Sequence, residues 1–222
     1  MADRCLLYYI TDRSQFRGDE RARRRNLLGK VAEAARACVD YIQLREKDLS
    51  TRELEMLARE VVAIVRENSS STRLLINSRT DVALAAGADG VHLRADDLSS
   101  REAREIVQLS DQFCVQLPLA TDHFLVATSC HSNEDVIRAD SEAADFAVFA
   151  PVFGKNNAPG TQPTGLAALH EACRAKIPVL ALGGVTMENA ASCLEAGAAG
   201  VAGIRLFQEN KIEDVVRALR AL

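Results

Sequence analysis

Ala86-Gly87-Ala88-Asp89-Gly90-Val91 and Ala196-Gly197-Ala198-Ala199-Gly200-Val201 are two versions of one short pattern. Each reads as a helix end, a glycine turn and the start of a strand. They lead into the fourth and the eighth of eight short apolar runs, half a cycle apart. Strands alternating with helical segments imply a parallel sheet with right-handed crossovers. Eight such units predict an α/β fold closed into a single (β/α)8 TIM barrel. The alternative is an open, doubly wound sheet. Glycines so placed are also ordinary helix C-caps, so the echo by itself leaves both open, and the count of units favours closure.

Working outward, strands are expected at Leu6–Ile10, Tyr41–Leu44, 74–76, Gly90–Leu93, 124–128, 145–149, 178–182 and Gly200–Gly203. Between them lie helical periods. Leu27, Leu28, Val31, Ala35 and Cys38 share one face of a helix over 21–38. Ser50 and Glu53 form a capping box, opening a helix with Leu54, Leu57, Val61 and Ile64 on one side. Ser99 and Glu102 repeat the signal before a helix ending near Leu109. Further helices are expected at 81–86, 133–139, 166–176, 188–196 and about 212–222. The pattern loosens at about 110–121, which contains Pro118 and reads as an irregular insertion. Residues 154–165, rich in Gly, Pro, Asn and Thr, read as a loop. One domain over 1–222 accounts for the chain.

Composition narrows the function classes. Of 222 residues, 48% are apolar and 26% charged, the balance of an ordinary globular domain. There is no Trp, and only three Tyr and seven Phe, so the core is expected to be built from Leu, Val, Ile and Ala. Stacking platforms for nucleic acid need exposed aromatics, and a net charge of −4 gives no basic field. Nucleic acid is therefore not an expected partner. The run Arg21-Ala22-Arg23-Arg24-Arg25 reads as a solvated helix start. No apolar run is long enough to cross a membrane, and Met1-Ala2-Asp3-Arg4-Cys5 does not read as a signal peptide, so a cytoplasmic protein is expected. The six cysteines have neither Cys-x-x-Cys nor zinc spacing and read as reduced, buried, small hydrophobes. Oligomeric state is left open.

In a barrel of this kind the chemistry sits at the C-terminal ends of the strands. Gln43, Arg45 and Lys47 follow the second strand at alternate positions, so extended backbone sends all three to one face. Two cations and an amide there suit a phosphate or diphosphate; the plainer reading is a solvated strand end. Asn77, Ser78 and Arg79 follow the third strand, and Asp96 and Asp97 the fourth. A carboxylate beside phosphate clamps suggests Mg²⁺, although the Asp pair would also suit the next helix N-terminus. Ser129, Cys130, His131 and Ser132 follow the fifth strand. Cys130 and His131 are adjacent on extended chain and point opposite ways, so they do not form a nucleophile pair. His92, His123 and His170 are scattered and read as structural. Lys155 lies in the loop after the sixth strand. Gly183-Gly184 and Gly203-Ile204-Arg205 end the last two strands, where barrels commonly cradle phosphate on backbone N–H groups; each could also be only a turn.

The order Tyr9-Ile10-Thr11-Asp12-Arg13, Gln43-Leu44-Arg45-Glu46-Lys47, Ile76-Asn77-Ser78-Arg79, Ala88-Asp89-Gly90-Val91-His92-Leu93, Asp97-Leu98, Ser129-Cys130-His131, Ala150-Pro151-Val152-Phe153 and Ala181-Leu182-Gly183-Gly184-Val185 resembles the thiamine phosphate synthases and the related thiazole tautomerases. The likeness runs from Leu7 to about Phe207, and Gln-Leu-Arg-Glu-Lys is its most specific piece. It implies a Mg²⁺-using transferase that joins hydroxymethylpyrimidine diphosphate to thiazole phosphate, releasing diphosphate. Small phosphorylated molecules are then its partners. The resemblance implies that Gln43, Arg45, Lys47 and Asn77 hold the pyrimidine diphosphate. Ser129 would contact the pyrimidine, Lys155 would help hold diphosphate, and Gly184 would contact the thiazole phosphate. Arg45, Lys47, Ser129 and Lys155 are thus the catalytic candidates. Gln43, Asn77, His131, Gly183, Gly184, Gly203 and Arg205 are the substrate-binding candidates, and Asp97 with Ser78 the metal candidates.

This chain also departs from the family pattern. Asn77-Ser78-Arg79 replaces Asn-Asp-Arg, trading a carboxylate for a hydroxyl. Arg94-Ala95-Asp96-Asp97 replaces Gly-Gln-Glu-Asp, and Gly154-Lys155-Asn156-Asn157 replaces a Thr-rich lysine loop. Arg205 stands where Ser is common. Mg²⁺ is then expected to bind weakly unless Asp96 or Asp81 substitutes. Two alternatives follow from the departures: a tautomerase-like isomerase using His131 as a proton shuttle, and a non-catalytic binder of a thiamine-pathway phosphate.

Overall fold

In a computed structural model describing residues 4–113, 124–154 and 162–222, eight parallel strands close into a barrel in chain order. They are β1 (Leu6–Ile10), β2 (Tyr41–Leu44), β3 (Arg73–Asn77), β4 (Gly90–Leu93), β5 (Leu125–Cys130), β6 (Phe146–Phe149), β7 (Val179–Ala181) and β8 (Gly200–Gly203). β1 pairs with both β2 and β8, which rules out the open sheet. The surrounding helices are α1 (Glu20–Arg36), α2 (Thr51–Asn68), α3 (Thr80–Ala86), α4 (Ser100–Phe113), α5 (Asn133–Ser141), α6 (Gly165–Ala172), α7 (Ala190–Glu195), α8 (Arg205–Gln208) and α9 (Ile212–Leu219). A 3₁₀ turn, Arg13–Gln15, follows β1. Among the described residues, no helix is long and apolar enough to cross a membrane.

The two echoing stretches do the same physical work. Gly87 (φ +69°) and Gly197 (φ +99°) adopt left-handed backbone after α3 and α7, where a side chain would be strained. Gly90 and Gly200 open β4 and β8 against a neighbouring strand. A Cβ on Gly90 would lie 2.2 Å from the Leu125 carbonyl oxygen, and one on Gly200 2.0 Å from that of Leu6. A second pattern pins the same end of the barrel. Asp40, Asp89 and Asp145 stand just before β2, β4 and β6. Their carboxylates accept the backbone N–H of Leu7 (2.8 Å), Leu74 (2.8 Å) and Val126 (2.6 Å) on the strand before. Ala199 holds the corresponding place before β8.

Both capping boxes form: Ser50 with Glu53, and Ser99 with Glu102. Four expectations are corrected. Helix α4 runs on to Phe113, so the first residues of the 110–121 segment are helical and not irregular; 114–121 lie outside the described residues. Strand β5 continues to Cys130, because its ladder to β6 reaches Cys130↔Phe149, so Ser129 lies within the strand and not after it. The barrel interior is also not purely aliphatic. Tyr41 and Phe146 stack at 4.6 Å, and Tyr8 meets both edge-on, at 5.8 and 5.6 Å. The other rings described, among them Tyr9, Phe124, Phe149 and Phe207, lie in the core outside this inner cluster. Cys5, Cys130 and Cys193 are buried as expected, but Cys38 is exposed.

Candidate active site at the barrel mouth

Alternation along each strand decides which side chains reach the mouth. Tyr8, Ile10, Leu75, Ala127, Phe146, Val148, Leu180 and Ala202 form the inner cluster. Positions in step with them at the C-terminal ends are Gln43, Arg45, Asn77, His92, Arg94 and Ser129. The barrel therefore brings together the diphosphate candidates Gln43, Arg45 and Asn77 with Ser129. Gln43 is buried. Arg45 is half-buried, and its guanidinium makes no hydrogen bond among the described residues. Burial lowers its pKa, Arg94 adds to that, and Asp12 and Glu46 oppose it. Lys47 is exposed at the rim. Lys155 lies outside the described residues.

His92, read as structural, is buried beneath the mouth and bonded on both ring nitrogens. Its Nδ1 lies 3.0 Å from the Tyr8 hydroxyl, and its Nε2 2.8 Å from Ser129 Oγ. Burial and then the charge of Arg45 push its pKa down to about 3. The ring is therefore neutral and links the inner aromatic layer to the serine. The only sequence signal was its position in phase with inward-facing residues of β4.

Glu46 also went without a role in the sequence reading. It lies between Arg45 and Lys47 and so points to the opposite face, out of the mouth. Thr11 Oγ1 donates to its Oε1 at 2.6 Å, and the Arg13 backbone N–H and Nη1 both donate to Oε2 at 3.0 Å. Thr11 Oγ1 in turn accepts the Arg45 backbone N–H at 3.0 Å. Arg13 continues to Asp48, at 2.7 and 2.9 Å, and to Glu20, at 2.7 Å. Burial raises the Glu46 pKa, and the bonds from Thr11 and Arg13 work against that rise. This buried staple fixes the backbone that carries Arg45 and Lys47.

The remaining candidates are placed as follows. His131 is exposed, with Nδ1 2.7 Å from the Ala150 carbonyl oxygen. Gly183 (φ +95°) and Gly184 (φ +66°) meet chain directly: a Cβ on either would come within 3 Å of the Pro151–Gly154 segment. Their shape thus lets the segment after β6 lie on the end of β7, where Val152 and Phe153 donate to Leu182 and Gly183. Gly203 packs on Leu206, and Arg205 is exposed at the start of α8. Gln208 of α8 exchanges two hydrogen bonds with the Asp12 backbone, at 2.9 and 3.1 Å, closing β8 onto β1 at the mouth. The Cys130 thiol is buried and its pKa raised to about 12 by that burial, consistent with an inert cysteine. A cavity of about 290 Å³ lies between α4 and α5 beside the ends of β4 and β5, its lining including Arg94, Asp97, Glu102, Ser129, Arg138 and Glu142.

The metal candidates are engaged otherwise. Asp97 Oδ2 accepts the Arg94 backbone N–H at 2.7 Å, and Oδ1 accepts Arg94 Nε and Nη2 at 3.2 and 3.1 Å. Burial raises the Asp97 pKa, but the Arg94 N–H, the Ser78 hydroxyl and the Arg94 guanidinium outweigh it and lower it overall. Ser78 (φ +61°) also accepts from Asn77 at 3.0 Å. The two possible substitutes are taken as well: Asp81 is held by two nitrogens of Arg79, at 2.8 and 2.5 Å, and Asp96 pairs with Arg94 at 3.5 Å. No group of three His, Cys, Asp or Glu among the described residues could hold a metal. One carboxylate already bonded through both oxygens does not fit a resident Mg²⁺, which wants free hard oxygens in octahedral array.

A closed barrel of eight parallel strands with Gln43, Arg45 and Asn77 at its C-terminal mouth belongs to the class of (β/α)8 barrels, whose sites lie at that face. The chain matches the model of the thiamine monophosphate synthase family over residues 7–207, and it belongs to that family. It is 38% identical over 204 residues to a putative thiamine-phosphate synthase 2 of Aquifex aeolicus, covering 91% of this chain and 97% of the relative. It is 37% identical over 217 residues to a thiamine-phosphate synthase of Methanoculleus marisnigri, covering 96% and 93%. Among solved structures it is similar to a thiamine phosphate pyrophosphorylase from Pyrococcus furiosus, with TM-score 0.77, 28% identity, and 99% and 95% of the two chains covered.

Proposed function

We propose that this protein is a thiamine-phosphate synthase, a transferase that joins hydroxymethylpyrimidine diphosphate to thiazole phosphate. The observation that carries the reading is the placement of Gln43, Arg45 and Asn77 on the face that also presents Ser129. In this reading the C–O bond to diphosphate breaks first, and its electron pair leaves with the diphosphate. The thiazole nitrogen lone pair then forms the new C–N bond with the pyrimidine methylene cation. Such a reaction needs a stabilised leaving group and a fixed geometry, and little acid–base chemistry. Arg45 and Lys47 serve the leaving diphosphate, together with Lys155. Gln43 and Asn77 orient it. Ser129, held by His92, aligns the pyrimidine, and His131 stands one inward step above it. The thiazole phosphate is assigned to the Gly183-Gly184 and Gly203–Arg205 turns. Neither substrate crosses a membrane unaided, so this reading assigns the protein to the cytoplasm.

The test is to supply both substrates and follow thiamine phosphate by thiochrome fluorescence, beside an active control enzyme. Turnover is expected, and Arg45→Ala is expected to lower kcat/KM by about 100-fold or more. No product at high enzyme concentration, with and without Mg²⁺, would reject the reading.

A further inference from the structure

The sequence pattern implies a divalent cation beside the diphosphate, yet the side chains at that place are already neutralised by an arginine. Arg94 follows directly on β4, which ends at Leu93, and its side chain is exposed. Two of its guanidinium N–H groups and its own backbone N–H fasten both oxygens of Asp97. A guanidinium carries five N–H donors, so three remain for a ligand. The charge of Arg94 adds to the lowering of the Arg45 pKa, and the Arg94 side chain is 52% exposed. Ser78 stands where the family pattern has a carboxylate, and Arg94 adds a guanidinium that Asp97 and, at 3.5 Å, Asp96 already engage.

We propose that the Arg94 guanidinium, oriented by Asp97, takes the position that the resemblance assigns to Mg²⁺ and binds diphosphate directly with Arg45, without a metal. Guanidinium matches phosphate oxygens in a planar, two-pronged geometry. Asp97 then positions a cation made of protein. The proposal rests on the synthase reading only for the identity of its ligand.

Calorimetric titration of the full chain with inorganic diphosphate tests it, once in excess EDTA and once in Mg²⁺. Binding is expected in EDTA, with affinity changed less than about threefold by Mg²⁺. Arg94→Ala is expected to weaken binding in EDTA by about tenfold or more, the size of a lost charge-assisted contact. Arg94 is exposed, so the variant should fold, and circular dichroism checks that. The double variant Ser78→Asp/Arg94→Gly should bind diphosphate at least about tenfold more tightly in Mg²⁺ than in EDTA. Absence of wild-type binding in EDTA, or unchanged affinity in Arg94→Ala, overturns the proposal. The thiochrome assay is read separately: metal-free diphosphate binding through Arg94 with no thiamine phosphate formed would reject the synthase reading and leave the Arg94 site standing.

Discussion

His92 shows how a single residue acquires a role from its surroundings. Buried between Tyr8 and Ser129, it stays neutral, with its pKa pushed down from 6.5 to about 3 by burial and by Arg45. Between those two values the unfolded chain binds the proton and the folded chain does not. Stability must therefore rise with pH across that window and be lost as pH falls from 6.5 toward 3. Urea denaturation at successive pH values should show this slope, and His92→Gln should flatten it whatever its effect on overall stability. A variant slope as steep as that of the parent would place the titration elsewhere. At this scale the phase of Gln43 and Arg45 was legible in the sequence from strand alternation, whereas Lys47 lies beyond the end of β2. The partners of His92, Glu46 and Arg94 were not, because only the folded chain brings Ser129, Thr11, Arg13 and Asp97 near.

At the scale of elements, the staple between the ends of β1 and β2 is the most consequential. Arg13 and Glu46 are both buried, so removing one leaves the other's charge without compensation. Arg13→Met should cost about 3–5 kcal/mol in denaturant unfolding and raise KM for the pyrimidine diphosphate, since the backbone of Arg45 hangs on Thr11 in the same network. A loss below 1 kcal/mol would mean that water replaces the lost partner. The opposite expectation holds for Gly29, within α1, where a Cβ would meet nothing within 4 Å. Gly29→Ala should stabilise the protein by about 0.5–1 kcal/mol, through helix propensity and a less disordered unfolded chain. Element types were readable from periodicity, but some ends were not: β5 gained Ser129 and Cys130 from its pairing with β6, a contact that local sequence does not contain.

For the whole molecule, closure of the barrel is the decisive property, and Gly90 and Gly200 limit how near the strands can come. Gly200→Ala would drive a Cβ against the Leu6 carbonyl at the seam where β8 meets β1, and Gly90→Ala would do so at Leu125. Each should destabilise by about 2–3 kcal/mol or more, seen as a lower denaturation midpoint. Unchanged stability would mean that the strands can spread without loss of pairing. The barrel was visible in outline as eight units and one internal echo. The seam itself was not, because pairing of β1 with β8 joins residues almost 200 positions apart.

The sequence by itself determined the eight β–α units, the capping boxes, the family and the shared phase of Gln43 and Arg45. All of these follow from local periodicity, short-range hydrogen bonding or motif order. Only the tertiary structure decided that His92 is bonded to Ser129, that Glu46 is bonded to Thr11 and Arg13, that Tyr8, Tyr41 and Phe146 meet inside the barrel, and that Asp97 is paired with Arg94. The physical reason is the same in each case: burial and hydrogen-bond partnership are set by distances in space, and a charge or a ring has no fixed role until the fold has chosen its neighbours.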